Sequence, residues 1–171
     1  GAFAACMEGL GRRCDGDRRD LMIARPAAGR PRVLGVCVGE QIMFEHGLEH
    51  GAHAAGIGLI GGSVNLLDAD VVPHMGWDTI EAAPDSVLLN GVENERFYFV
   101  HSYAAMEVKP ADTSRFDIDL SDSPERVSWC SYGRSRFVAA YEHGPLSATQ
   151  FHPEKSGDAG SQLLKNWIAT L

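Results

Sequence analysis

Val33-Leu34-Gly35-Val36-Cys37-Val38-Gly39-Glu40-Gln41-Ile42-Met43-Phe44-Glu45 is the stretch whose reading decides the fold. Its first half is an apolar, Val-rich run of strand length, and the amphipathic run after Val38 reads as a helix. Cys37 falls at the junction. Gly35 and Gly39 stand two residues to either side, so the backbone can turn sharply there with no β-carbon in the way. Gly35-Val36-Cys37-Val38-Gly39 is the thiol counterpart of G-x-S-x-G, an elbow that lifts a nucleophile above a sheet. A helix N-terminus behind the sulfur favours the thiolate, which is the reactive form. A small buried cysteine closing a strand would leave the same trace, so the elbow alone assigns no role.

A second stretch bears on that choice. Ser147-Ala148-Thr149-Gln150-Phe151-His152-Pro153-Glu154-Lys155-Ser156 reads as a short strand entering a Pro-restricted extended segment. In extended chain, residues i and i+2 share a face, so His152 and Glu154 are expected to point the same way. A carboxylate can orient the imidazole, and the imidazole can serve a thiol as base and later as acid. Taken alone, the pair is equally a surface histidine beside a solvated glutamate. Taken with Cys37, it points to nucleophilic catalysis.

The combination of G-x-C-x-G-x-Q and F-H-P-E resembles the class I glutamine amidotransferase family. Pro73-His74-Met75-Gly76-Trp77, Arg96-Phe97-Tyr98-Phe99-Val100-His101-Ser102-Tyr103 and Gln150-Phe151-His152-Pro153-Glu154-Lys155-Ser156-Gly157 narrow the likeness to the glutaminase subunits of histidine biosynthesis. The similarity runs from Gly1 to Leu171. It implies an α/β fold with a mixed or parallel sheet flanked by helices, a nucleophile elbow after a central strand, and one amidotransferase domain over residues 1–171. It also implies that Cys37, His152 and Glu154 hydrolyse L-glutamine. Gln41, Ser102 and Tyr103 would contact that substrate, and backbone at Val38 and Gly1 would form the oxyanion hole. No cofactor or metal is expected. The implied partner is a cyclase subunit of barrel fold, met by a face that includes His74, Met75, Trp77, Asp78, Tyr98 and Lys155. Family members begin with further strands and helices ending in a Gly-rich turn, and Gly1 matches the last residue of that turn. An N-terminally incomplete domain is therefore expected. Two other readings stay open: a glutaminase feeding another synthase, and a silent subunit that keeps the docking surface without turnover.

Two positions depart from the family pattern. Glu40 stands where the family usually carries Met or another uncharged residue; it suits a helix start, but its charge opposes a thiolate one turn away. Asp78 stands where Asn usually follows the Trp, replacing a donor and acceptor by an acceptor alone.

Bulk properties set the outer bounds. With 171 residues, 44% of them hydrophobic, the chain can build one real core. A net charge of −8 argues against nucleic acid or an anionic membrane as partner. No apolar run is long enough to span a bilayer. Cys6, Cys14, Cys37 and Cys130 show no paired C-x-x-C spacing, so neither a zinc site nor a redox motif is expected, and a reducing cytoplasm is the natural compartment.

The remaining segments read as follows. Residues 1–10 form a short helix, 11–20 a charged solvated loop, and 21–28 a helical turn or two. His46, His50 and His53 crowd a Gly-rich stretch, 47–58, which reads as a surface loop in preference to a metal site. Strands are expected at 63–67, 79–82 and 97–100, with a turn-helix-turn at 84–90. An acidic loop at 112–125 precedes a hairpin around Gly133, and 146–151 returns as strand. Ser156 is a candidate cap for a last helix carrying Leu163, Leu164, Trp167, Ile168 and Leu171 as one apolar stripe.

Overall fold

The computed structural model describes residues 2–11, 32–49, 51–113, 116, 120 and 122–171. Strand β1, Val33–Val36, ends directly at Cys37, which takes φ 52° and ψ −110°, a strained conformation for a residue with a side chain. The chain then folds back so tightly that a β-carbon at Gly35 would lie 2.6 Å from the Gly39 carbonyl oxygen. Only glycine fits there.

The helix that follows, α2 (Val38–Gln41), is a single turn and does not continue as its amphipathic spacing suggests. Ile42, Met43 and Phe44 are apolar in succession and all buried, which a surface helix cannot achieve with one stripe. Phe44–Glu49 instead forms β2, parallel to β4 (Ile60–Leu66) and antiparallel to β3 (Ala52–Ala55). The Gly-rich stretch expected as a surface loop is thus largely a hairpin. Its Gly47 is buried because Phe3 of α1 (Ala2–Gly11) lies across it; a β-carbon at Gly47 would come within 2.6 Å of that ring. The Phe3 amide also donates to Oε2 of Glu49 at 3.2 Å. Burying one phenylalanine this way is worth about 2–3 kcal/mol.

Among the described residues, the strands form three sheets. The first runs β1, β10 (Leu146–Thr149), β9 (Ser135–His143), β8 (Glu125–Tyr132), with β1 parallel to β10 and the rest antiparallel. The β8–β9 hairpin turns at Gly133, φ 61°, as its sequence anticipates. The second runs β3, β2, β4, β7 (Tyr103–Ala105). The third is an antiparallel ribbon of β5 (His74–Thr79) and β6 (Arg96–His101). Helix α3, Gly157–Ile168, buries Leu163 in a core with Phe97, Phe99, Phe137 and Phe151, while Ile168 and Leu171 stay exposed, so its stripe is narrower than its sequence suggests. Residues 84–90 make turns without a helix, and Phe116 of the acidic 112–125 stretch is buried in a core with Phe3, Phe44 and Leu146. The architecture is mixed α/β. The expectations for 12–31, for His50 and for Gly1 lie outside the described residues.

Candidate active site

β1 and β10 run in parallel with Val36 opposite Thr149, and the Cys37 amide continues the ladder by donating to the Thr149 carbonyl at 2.7 Å. The elbow therefore sits at the carboxyl ends of paired strands, and the chain leaving β10 passes the sulfur. His152 is tied down by its amide, which donates to the Tyr98 carbonyl at 2.9 Å. Beyond it, Pro153–Lys155 closes a single 3-10 turn instead of staying extended; Pro153 suits the first position of such a turn because it needs no amide partner there. The turn still brings Glu154 round to the imidazole, with Oε1 2.7 Å from Nδ1 of His152. A carboxylate only accepts, so Nδ1 carries the proton and the neutral ring keeps a free lone pair on Nε2.

Ser156 occupies the head of α3 but does not cap it. Its Oγ donates to the His152 carbonyl at 2.6 Å and accepts from the Tyr98 amide at 3.0 Å. The hydroxyl thus braces β6 against the His152 segment.

The sulfur of Cys37 is half-buried and receives two N–H groups, the backbone amide of Val38 and the side-chain Nε2 of Gln150 at 3.7 Å. Burial pushes the thiol above its ordinary range, and the charges of Glu40 and Glu154 act in the same direction; the Val38 amide and Lys155 oppose them. Glu40 is 2% exposed with Oε1 unpartnered, and burial pushes its carboxyl well above the usual range. The neutral acid is therefore its favoured form, which lessens the charge it presents to the sulfur.

Cys37, Val38, Gln41, Ser102 and Tyr103, all singled out in the sequence, line one cavity of about 270 Å³, which His101 also lines. Larger hollows lie along Ile80–Asn94 and between Leu59 and His143; neither is lined by Cys37. Gln41 is buried. Its Nε2 donates to the Tyr103 carbonyl at 2.7 Å and to Oε1 of Gln150 at 2.9 Å, so only its own Oε1 is left for a ligand. His101 closes the cavity wall, with Nδ1 3.0 Å from the same Tyr103 carbonyl. Burial holds its imidazole down at about 3, helped by His74 and His152 and opposed by that carbonyl.

Strand alternation divides the residues expected to form a docking face. Met75 and Trp77 point outward, 62% and 46% exposed, and Trp77 meets Tyr98 edge-to-face at 5.9 Å. Lys155 is exposed on its turn. His74 points the other way: it is 3% exposed, stacked on Tyr132 at 4.0 Å and on Phe99 at 4.8 Å. Asp78, four residues on, shares that inner side, with Oδ2 3.4 Å from Nε2 of His74. His74 is thus a core residue, since odd and even positions of one strand cannot face the same way.

Gln150 and His101 were not picked out from the sequence as parts of the site. Gln150 does carry a signal, being the largest polar side chain of the expected strand 146–151. Among the described residues, no three His, Cys, Asp or Glu side chains are grouped to hold a metal ion.

The sequence profile of the family Glutamine amidotransferase class-I matches residues 11–171. The imidazole glycerol phosphate synthase subunit HisH of Bifidobacterium longum (strain NCC 2705) is 92% identical over 171 residues, covering 100% of this chain and 78% of that relative. The subunit of the same name from Leifsonia xyli subsp. xyli (strain CTCB07) is 56% identical over 171 residues, covering 100% of this chain and 77% of its own length. Among solved structures, one described as a glutamine amidotransferase superposes with a TM-score of 0.59 at 11% identity, covering 98% of this chain and 75% of the other. Another, described as a putative GMP synthase protein from Thermoplasma acidophilum, gives 0.51 at 20% identity, covering 81% and 56%. At those identities the likeness is one of fold. The chain belongs to the glutamine amidotransferase class-I family, on the branch of the HisH subunits.

Proposed function

We propose that this chain is the glutaminase subunit of an imidazole glycerol phosphate synthase, working in the cytoplasm beside a cyclase subunit of barrel fold. The observation that carries the reading is the 2.7 Å contact between Nδ1 of His152 and Glu154, on a segment that leaves the strand paired with the Cys37 elbow. Cys37 passes its thiol proton to Nε2 of His152, attacks the side-chain amide carbon of L-glutamine and forms a C–S bond. His152 gives its proton to the departing nitrogen, which leaves as ammonia; water, deprotonated by the same ring, then releases glutamate from the thioester. The developing oxyanion takes the Val38 amide. Free ammonia in neutral water becomes ammonium and loses its nucleophilicity, so a partner must receive it directly. Met75, Trp77, Tyr98 and Lys155 form a compact aromatic and basic face suited to such docking. Gln41, Ser102 and Tyr103 hold the substrate in the cavity.

A silent docking subunit is the second reading, favoured by the upward push on the Cys37 thiol. Labelling Cys37 with a glutamine-like electrophile, with and without the cyclase, separates the two. We expect labelling that rises when the cyclase is present. Cys37→Ala is expected to abolish glutamine-dependent synthesis by the complex while sparing synthesis from added ammonia. An unlabelled Cys37 under both conditions would overturn the enzyme reading, and recovery of a different synthase as partner would redirect it.

A further inference from the structure

We propose that Gln150 is a further working residue of this site: its side-chain amide donates to the Cys37 sulfur and stabilises the thiolate. Gln41 and the Tyr103 carbonyl hold that amide the right way round. The inference rests on Cys37 being the nucleophile, as proposed above.

The orientation follows from one unambiguous group. The Tyr103 carbonyl can only accept, so the group of Gln41 that meets it at 2.7 Å must be the NH2 end. The same nitrogen has a second proton, directed at Gln150 across 2.9 Å, which makes the facing atom of Gln150 its oxygen. The nitrogen of Gln150 is then the end that lies 3.7 Å from Sγ of Cys37. His101 supports the arrangement by meeting the same carbonyl at 3.0 Å. Both glutamines are buried, with Gln150 wholly so, and the backbone N–H of Gln150 donates to the Ala139 carbonyl at 2.9 Å. Flipping the Gln150 side chain would set its NH2 against that of Gln41, an arrangement burial does not tolerate.

The need for such a donor is visible in the rest of the site. Burial and two carboxyl groups push the sulfur toward the thiol. The helix behind it is one turn long, so few peptide dipoles align with it. An N–H aimed at sulfur strengthens when the sulfur carries charge, and so favours ionisation.

The test is the pH dependence of Cys37 alkylation by iodoacetamide, read on the Cys37 peptide by mass spectrometry, in the chain alone and with its cyclase. Gln150→Glu keeps an acceptor for Gln41 and removes the donor to sulfur; Gln150→Met removes the donor without adding charge. In both, the alkylation midpoint is expected to rise by about one to two pH units, the size of a hydrogen bond to a charged group. Variants that fold, by their near-ultraviolet circular dichroism, yet keep the original midpoint would overturn the proposal. In the unmutated chain, the Nε2 protons of Gln150 are expected to shift in NMR spectra across that same midpoint, and protons that ignore it would equally overturn it. Alkylation needs no glutamine turnover. A chain that alkylates normally but does not hydrolyse glutamine would count against the enzyme reading and leave this inference standing.

Discussion

Nδ1 of His74 lies 3.2 Å from Nε2 of His101, both rings buried beneath the β5–β6 ribbon, and the contact sets where the protons sit. Nδ1 of His101 faces the Tyr103 carbonyl, so it donates there and its neutral Nε2 accepts. Nδ1 of His74 must then donate, which leaves Nε2 of neutral His74 presenting a lone pair to the Asp78 carboxylate at 3.4 Å. Two acceptors face each other unless a proton is taken up between them.

Asp78→Asn would replace that opposition by an amide donor. Burial lowers the His74 pKa while Asp78 raises it, so His74 is largely neutral at alkaline pH and the mismatch is greatest there. The variant is expected to gain about 1 kcal/mol in urea unfolding at pH 8, with the gain shrinking as pH falls below the ordinary imidazole range and His74 takes up the proton that Asp78 accepts. A loss at pH 8 would contradict the tautomer assignment.

His101 should make the fold acid-sensitive. Burial first, then His74 and His152, hold its pKa at about 3, below the ordinary 6.5, while the Tyr103 carbonyl opposes them. Between those values the unfolded chain binds more protons than the folded one, so stability falls as pH drops through 6.5 toward 3. The slope is at most about 1.4 kcal/mol per pH unit. Unfolding midpoints of His101→Gln should fall less steeply than wild type from pH 7 to pH 4, and parallel slopes would refute this.

Glu40 works in the opposite sense. Its folded pKa is raised by burial, so the stability linked to its proton is present below the ordinary 4.5 and is lost as pH rises toward the folded value. Glu40→Met is expected to stabilise the chain by about 1–3 kcal/mol at pH 8 and by less at pH 5. Cys37 in that variant should also alkylate faster at pH values high enough to ionise Glu40 in the parent chain, since that charge no longer opposes the thiolate. Equal stabilities at both pH values would argue against a buried acid.

Gly160 lies where α3 crosses the Pro153 turn. A β-carbon there would collide with the Pro153 carbonyl oxygen and lie 2.9 Å from Cβ of Ser156. Gly160→Ala, favourable in most helices, is therefore expected to cost about 1–3 kcal/mol and to lower glutaminase turnover by shifting the turn that carries Glu154. Thermal melting and steady-state kinetics would check both effects, and an unchanged or raised melting point would show that the helix yields without strain.

Some of this was legible in the residues themselves. Gly35 before Cys37 announces a sharp turn after a strand, because only glycine there admits the close return of the Gly39 backbone; Gly39 itself has open space where a β-carbon would lie. The hairpin at Gly133 and strand β6 follow from alternation and turn chemistry, both local properties. His152 and Glu154 were expected to meet, and they do, though through a 3-10 turn that Pro153 starts and not through extended chain. Other elements defied local reading. The run after Gln41 has a helical look, yet Ile42, Met43 and Phe44 are all drawn into the core and the chain becomes β2.

What the sequence by itself determined is the order of elements around Cys37, the family and the pairing of His152 with Glu154, since each depends on residues close together in the chain or on motifs read directly. Tertiary structure alone decided that His74 faces inward, that Ser156 braces β6 instead of capping α3, and that Gln41 and Gln150 link the Tyr103 carbonyl to the sulfur. These depend on which distant strands lie side by side. Burial then obliges each polar atom to find whatever partner that packing has brought within reach.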